Sequence, residues 1–333
     1  MGYFPNLAWR VKMNLFLAPI QGMTIAFYRN AFARIFGGID AYYAPFIATT
    51  GMNKVNNLLL KDLLAEHNDP AVKLVPQLLG NNGEDFRRFS AAIAGLGYNE
   101  INWNIGCPFP TVTKKIKGSG ILPYPDMIRK FLDIACADTA YSITVKMRLG
   151  LDNPEEGARV IEALNEYPIS GVVMHARTGV QMYTGNVDLD SFEALISSCK
   201  HDVTYNGDIF SYADFMRISS RFPAIKNFML GRGALQDPFL PSFIKGKATS
   251  STNKLNMIGQ FHDEIFNYYK IRTSGDKHLC DKMKEFWTYM SVHTDKDGKL
   301  FKKIKKCHTT AAYLETVNQI LHSPASTWSD SRI

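Results

Sequence analysis

Eight times between residues 15 and 231, a short apolar run rich in β-forming residues is followed by a longer amphipathic stretch. No other feature of the chain constrains its fold as strongly. The runs lie at 15–18, 41–44, 72–78, 100–104, 142–147, 171–175, 203–206 and 227–231, and the sequence predicts a strand at each. Helical segments are predicted between them, at 26–36, 84–94, 126–137, 154–167, 188–199 and 212–222. Asp188 and Ser211 suit N-caps and Pro154 suits a first helical turn. Eight alternations of strand and helix are what a (β/α)8 TIM barrel of the α/β class requires. A doubly wound open sheet is the alternative, but no GxGxxG follows the first run.

Beyond Pro241 the strand-like runs stop. Segments 255–271, 279–292 and 309–321 have helical periodicity and are joined by polar links. The predicted organisation is an N-terminal extension of no assigned role (1–13), with Met13 a candidate natural start, a barrel domain (14–245) and a small all-helical domain (246–333) entered through a linker at 247–256. The last 88 residues carry 14 lysines and arginines against nine aspartates and glutamates, an excess of five out of the net +7. Within them, Lys302-Lys303-Ile304-Lys305-Lys306 suits a polyanion such as RNA, and equally a solvated helix face.

An apolar fraction of 46% excludes a disordered chain. No apolar run reaches the roughly 18 residues of a membrane span, and no secretion signal is visible, so neither membrane nor export is expected. The five cysteines are widely spaced, odd in number and without a CxxC pair. This favours a reducing, cytoplasmic setting over a disulfide framework or a structural zinc site.

In a barrel of this kind the working residues sit where strands end, and unusual polar residues collect there. Pro19, Ile20 and Gln21 follow the first run, Gln77 interrupts the third, and Asn104 and Cys107 close the fourth. Lys146 and Arg148 share one face of the fifth. His175 and Arg177 end the sixth, Asn206-Gly207-Asp208 the seventh and Gly231-Arg232 the eighth. Each alone has an ordinary structural explanation; together they point to a site. Glycines after strands seven and eight, with a helix N-terminus and Arg232, suit a phosphate. Lys146 and His175 then suit the ring of a reduced flavin, and Gln77 the edge of a pyrimidine-like ring. FMN fits this set better than a nucleoside triphosphate, which lacks a Walker loop here, or a metal, which lacks a ligand cluster.

With these motifs in order, the chain resembles the tRNA-dihydrouridine synthase family from residue 15 to about residue 310. The resemblance rests on Ala18-Pro19-Ile20-Gln21-Gly22, on Asn104-Ile105-Gly106-Cys107-Pro108 followed by Gly118-Ser119-Gly120-Ile121-Leu122, and on Val145-Lys146-Met147-Arg148-Leu149-Gly150. It continues through His175-Ala176-Arg177-Thr178 with Gln181, Tyr183 and Gly185, then Asn206-Gly207-Asp208-Ile209 and Gly231-Arg232-Gly233-Ala234-Leu235. It implies an FMN barrel with a helical RNA-binding domain that reduces the C5=C6 bond of tRNA uridines with NADPH. By the same resemblance, Pro19, Ile20, Gln21, Gln77, Lys146, His175, Asn206, Gly207, Asp208, Gly231 and Arg232 hold FMN. Cys107 is the proton donor, and Asn104 and Arg177 touch the substrate. Gln21, Ile25 after Thr24, and the segment ending Gly120-Ile121 depart from the family's usual pattern in loop detail.

The chemistry is coherent by itself. Hydride addition to uracil C6 leaves an enolate that an acid must protonate at C5, and a thiol with a pKa near ~8.5 is mostly protonated at neutral pH. Two other readings remain open at this level: an FMN barrel acting on free pyrimidines or small ene-carbonyl compounds, and an RNA-binding protein without catalysis. No obligatory protein partner is evident from the sequence.

Overall fold

The computed structural model describes residues 13–51, 55–137, 140–247, 249–295, 297–322 and 328. The proposed N-terminal extension therefore lies outside the described residues except for Met13. Ten strands are present: β1 (Asn14–Leu17), β2 (Ala41–Tyr43), β3 (Ile47–Ala48), β4 (Leu74–Val75), β5 (Gln77–Leu79), β6 (Glu100–Ile105), β7 (Ser142–Arg148), β8 (Gly171–His175), β9 (Val203–Asn206) and β10 (Asn227–Leu230). They form one parallel sheet in the order β3-β5-β6-β7-β8-β9-β10-β1-β2-β4.

The two ends of that order meet, because β3 continues the path of β2 and β5 continues that of β4. Ten short strands thus occupy the eight positions of a closed barrel. Proline makes the breaks. Pro76 has no N–H to give the ladder, so the run expected as one strand splits there, while its carbonyl still accepts Asn102 N at 2.8 Å. Pro45 lies in the corresponding gap between β2 and β3.

Strand alternation divides the core in two. Outward residues such as Ile101, Trp103, Val145, Met147 and Met174 pack on the surrounding helices. Trp103 stacks on Phe131 at 3.8 Å and donates Nε1 to Gly80 O at 2.9 Å. Inward, Ala18, Ala41, Tyr43, Val75, Val173 and Met229 form an apolar plug with Phe16 against it. Inward positions nearer the strand ends turn polar: Gln77, Asn102, Asn104, Lys146, Arg148, His175 and Asn206. A barrel sealed below and polar above presents its chemistry at one mouth.

The barrel helices are α1 (Ala26–Ile35), α2 (Gly83–Ala94), α3 (Pro110–Thr113), α4 (Pro125–Ala135), α5 (Pro154–Leu164), α6 (Leu189–Ser198), α7 (Tyr212–Arg221), α8 (Arg232–Gln236) and α9 (Leu240–Ile244). Asp188 caps α6 by accepting Ser191 N, and Ser211 and Asp214 form a capping box on α7. Four more helices follow: α10 (Ser251–Lys270), α11 (Gly275–Thr294), α12 (Lys299–Lys306) and α13 (Thr310–His322).

Two details differ from the sequence reading. Helix α10 begins within the stretch expected to be linker. A further helix not among the predicted segments, α12, carries the lysine run as the solvated helix face that the sequence left open, with Ile304 buried and Lys302, Lys303, Lys305 and Lys306 exposed. The helical region is anchored on α1, where Phe261 meets Tyr28 and Phe36 edge-on, each at 5.1 Å, and Phe27 stacks on Tyr268 at 3.6 Å. No helix among the described residues is long and apolar enough to cross a membrane.

Candidate active site

A cavity of about 400 Å3 opens at the C-terminal ends of the strands. Its wall includes Pro19, Ile20, Gln21, Asn104, Cys107, Lys146, His175, Asn206, Gly207, Asp208, Gly231 and Arg232. Twelve of the fourteen residues singled out from sequence therefore come together. The other two, Gln77 and Arg177, are buried behind the wall.

Gln77 is one link in a buried polar chain. Its Nε2 donates to Asn102 Oδ1 at 2.7 Å, and its Oε1 accepts Asn104 Nδ2 at 2.8 Å. With its amide fixed in this way, Asn104 turns Oδ1 onto the backbone N–H groups of Gly106 and Cys107, at 3.0 and 2.9 Å. The thiol-bearing turn is held from its other side by Ser119, whose N–H and hydroxyl both donate to Cys107 O. Gly118 makes this approach possible: it has φ +56°, and a Cβ there would stand 2.4 Å from Cys107 O. Burial pushes the Cys107 thiol up, and the Phe109 amide with the Arg148 and Lys146 charges only partly offsets it. The thiol keeps its proton at neutral pH.

The strands that follow β6 in the sheet carry cations. Lys146 Nζ donates to Asn206 Oδ1 at 3.1 Å, and Asn206 Nδ2 donates to Met229 O at 2.8 Å. Burial and the neighbouring Arg148 bring the Lys146 ammonium down to about 7. Arg148 is itself brought down to about 10, mainly by burial, although it donates to Gly106 O at 3.0 Å and Thr178 O at 2.7 Å. Burial and then Arg148, Lys146, Arg177 and Arg232 hold His175 well below the usual histidine range. The imidazole is neutral, and its Nε2 lies 3.4 Å from Arg177 Nη1. A guanidinium only donates, so Nε2 accepts and the ring proton sits on Nδ1.

Arg177 is 2% exposed and spends its donors on protein atoms. It pairs with Asp208, Nη1 to Oδ1 at 2.8 Å, and donates to the carbonyls of Thr184 and Gly185. Asp208 also accepts Arg232 Nη2 at 3.0 Å. Asp208 is the one carboxylate on the cavity wall among the described residues, and it is shared by two arginines. The turn it stands in needs Gly207, whose φ is +143°. Lys146 and Arg148, both lowered by burial, and the two arginines that share Asp208 give this wall the chemistry of an anion-binding surface.

Three contributors were not assigned a role from sequence. Arg148 was seen only as the inward partner of Lys146. Tyr183 lies under Arg232 (4.8 Å from guanidinium carbon to ring centre) and near Arg148 (5.4 Å). Tyr289 reaches the wall from α11, and no periodicity or spacing signals such a contact.

Fold and site together define a (β/α)8-barrel enzyme whose mouth combines a protonated thiol with an anion-seeking cluster of cations. A family model described as dihydrouridine synthase matches residues 16–323. The chain belongs to the dihydrouridine synthase family, a family of oxidoreductases. It is 26% identical over 303 residues to a tRNA-dihydrouridine(16) synthase of Neisseria meningitidis serogroup B, covering 88% of this chain and 90% of that protein. It is 30% identical over 238 residues to the protein of that name from Cupriavidus necator, covering 70% and 73%. Among solved structures, the old yellow enzyme from Trypanosoma cruzi shares the fold, with a TM-score of 0.52 at 7% identity over 71% of this chain and 89% of that one.

Proposed function

We propose that this protein is an FMN-dependent tRNA-dihydrouridine synthase that reduces the C5=C6 bond of tRNA uridines with NADPH as reductant and Cys107 as proton donor. One observation carries the reading: the protonated, buried thiol of Cys107 lines the same cavity as Lys146, His175, Asn206 and Arg232.

The donor set fits a flavin mononucleotide. Arg232 and the glycine turns at Gly207 and Gly231 suit its phosphate, the first amides of α8 having no partner inside their own helix. Lys146, His175 and Asn206 suit an electron-rich ring edge, and Pro19, Ile20 and Gln21 line the wall beside them. Gln77 contributes by orienting Asn104, and Arg177 by orienting His175 and Asp208. Once bound, the flavin supplies the two electrons and the hydrogen delivered to uracil C6.

The protein's own part is acid catalysis and placement. Asn104 fixes the Cys107 turn and offers its amide edge to the uracil. Cys107 Sγ gives its proton to C5, and the thiolate left behind is stabilised by the Phe109 N–H, Arg148 and Lys146 until solvent returns the proton. Lys146, poised near 7, takes up a proton when an anion approaches. To enter, the base must leave its stack, which costs roughly a few kcal/mol and favours loop uridines. The exposed lysines of α12 supply backbone contacts for the RNA.

The test is spectroscopic. Purified protein should show flavin absorbance that NADPH bleaches, and under anaerobic conditions unmodified tRNA should restore it while free uridine does not. Colourless protein, or re-oxidation by free uracil derivatives but not by tRNA, contradicts the proposal; the latter would select the small-molecule alternative.

A further inference from the structure

Tyr289 belongs to the helical region yet stands on the wall of the barrel cavity, and it is the one residue of that region to do so among the described residues. Its helix is fixed in place. On α11 the neighbouring Phe286, Trp287 and Met290 are buried, and Trp287 Nε1 donates to Tyr313 Oη at 2.8 Å. The same helix packs on α8, which starts at Arg232. Tyr289 is half-buried, and among the described residues its hydroxyl makes no hydrogen bond. On the same cavity wall stands Tyr183, 46% exposed, with Arg232 over its ring. Two tyrosines from two regions of the chain and one arginine thus frame the entrance to Cys107.

A free pyrimidine small enough to lie within the barrel needs no residue from a second region. A nucleotide still joined to its strand does, because its ribose and flanking phosphates must remain at the rim while the base goes in. A phenol suits that rim: the ring supports an unstacked nucleotide, and the hydroxyl bonds a ribose or carbonyl oxygen. We propose that Tyr289 is a positioning residue for the extruded nucleotide, so that the helical region helps set the reacting geometry as well as binding RNA. This inference rests on the tRNA reading above.

The test uses flavin-loaded enzyme with an unmodified tRNA transcript, comparing wild type with Tyr289→Phe and Tyr289→Leu. Four quantities are measured: flavin content, single-turnover reduction of the flavin by NADPH, its re-oxidation by dioxygen, and its re-oxidation by tRNA. The first three should stay within about twofold of wild type. Re-oxidation by tRNA should fall by about three- to tenfold for Phe, the loss of one hydrogen bond, and by about tenfold or more for Leu, which also loses the stacking surface. The dissociation constant for tRNA should change less than the rate, since backbone charges set most of the affinity. If both variants re-oxidise with tRNA within twofold of wild type, Tyr289 has no positioning role. Parallel losses in flavin content or dioxygen re-oxidation would mark it as structural and equally overturn the proposal. Failure of the tRNA reading itself would show separately, as wild-type enzyme that tRNA does not re-oxidise.

Discussion

Asn104 Oδ1 accepts the backbone N–H of Cys107 at 2.9 Å, so a side chain near the end of strand β6 fixes the position of the thiol three residues later. The same oxygen holds Gly106, and the amide nitrogen is tied to Gln77. Asn104→Ala would leave two backbone donors and the Gln77 carbonyl without their partner in a buried setting. It should cost about 1–3 kcal/mol of stability, read from denaturant unfolding. It should also slow tRNA reduction by tenfold or more while leaving NADPH oxidation by dioxygen intact. Unchanged tRNA reduction would remove Asn104 from the site.

Lys146 provides a pH test on the flavin-free protein. Its folded pKa, about 7, lies below the ordinary lysine value of 10.5, so between these limits the unfolded chain binds the extra proton. Stability contributed at this position therefore rises with pH from about 7 to about 10.5. Lys146→Met should flatten that part of the stability profile, and an anion bound in the cavity should flatten it too by raising the folded pKa. Calorimetry in buffers of different ionisation enthalpy should show proton uptake on flavin binding above pH 7. Binding without proton uptake would contradict the assignment.

The helical region cannot be removed cleanly to test RNA binding, because Phe261 and Tyr268 cover Phe27 and Tyr28 of α1 and Phe36 just after it. Deleting it would expose barrel surface. Point changes on α12 are the better probe. Lys303 bonds Gln319 and Lys305 lies over Phe301, so neither is neutralised by those neighbours. Replacing Lys302, Lys305 and Lys306 with Gln should weaken tRNA binding and make the slope of log K against log salt shallower by roughly 0.7–0.9 for each phosphate that is no longer neutralised. Flavin content should be unaffected. An unchanged slope would place the RNA elsewhere.

The barrel was legible because its signal repeats: eight apolar runs at strand length, with polar residues on the inward face only near the ends. Lys146 and Arg148 could be put on one face from period-two alternation alone, and the β7 register with β8, Arg148 opposite His175, agrees. The breaks were not legible. Pro76 interrupts pairing without shifting the chain's path, so β4 and β5 read as the single run 72–78, while β3, beyond Pro45, lies past the end of the run at 41–44 and was not predicted. The lysine-rich run allowed a helix face but did not mark out α12 as an element, because Ile304 is its one fully buried residue. Arg177, a substrate contact by the resemblance, is buried and pairs with the Asp208 turn, a partnership that no spacing in the sequence signals. Tyr289 stands more than a hundred residues from Cys107 in sequence, and only the docking of α11 on α8 brings it to the mouth.

The central claim is that Cys107 protonates C5 of a tRNA uridine in this cavity. The decisive measurement is dihydrouridine formed in one turnover by anaerobically NADPH-reduced enzyme on an unmodified tRNA transcript, comparing wild type with Cys107→Ala. The account predicts equal flavin content and equal reduction by NADPH in both proteins, with dihydrouridine formation at least a hundredfold slower in the variant, about the contribution of a general acid. Product formed by Cys107→Ala at the wild-type rate would contradict it.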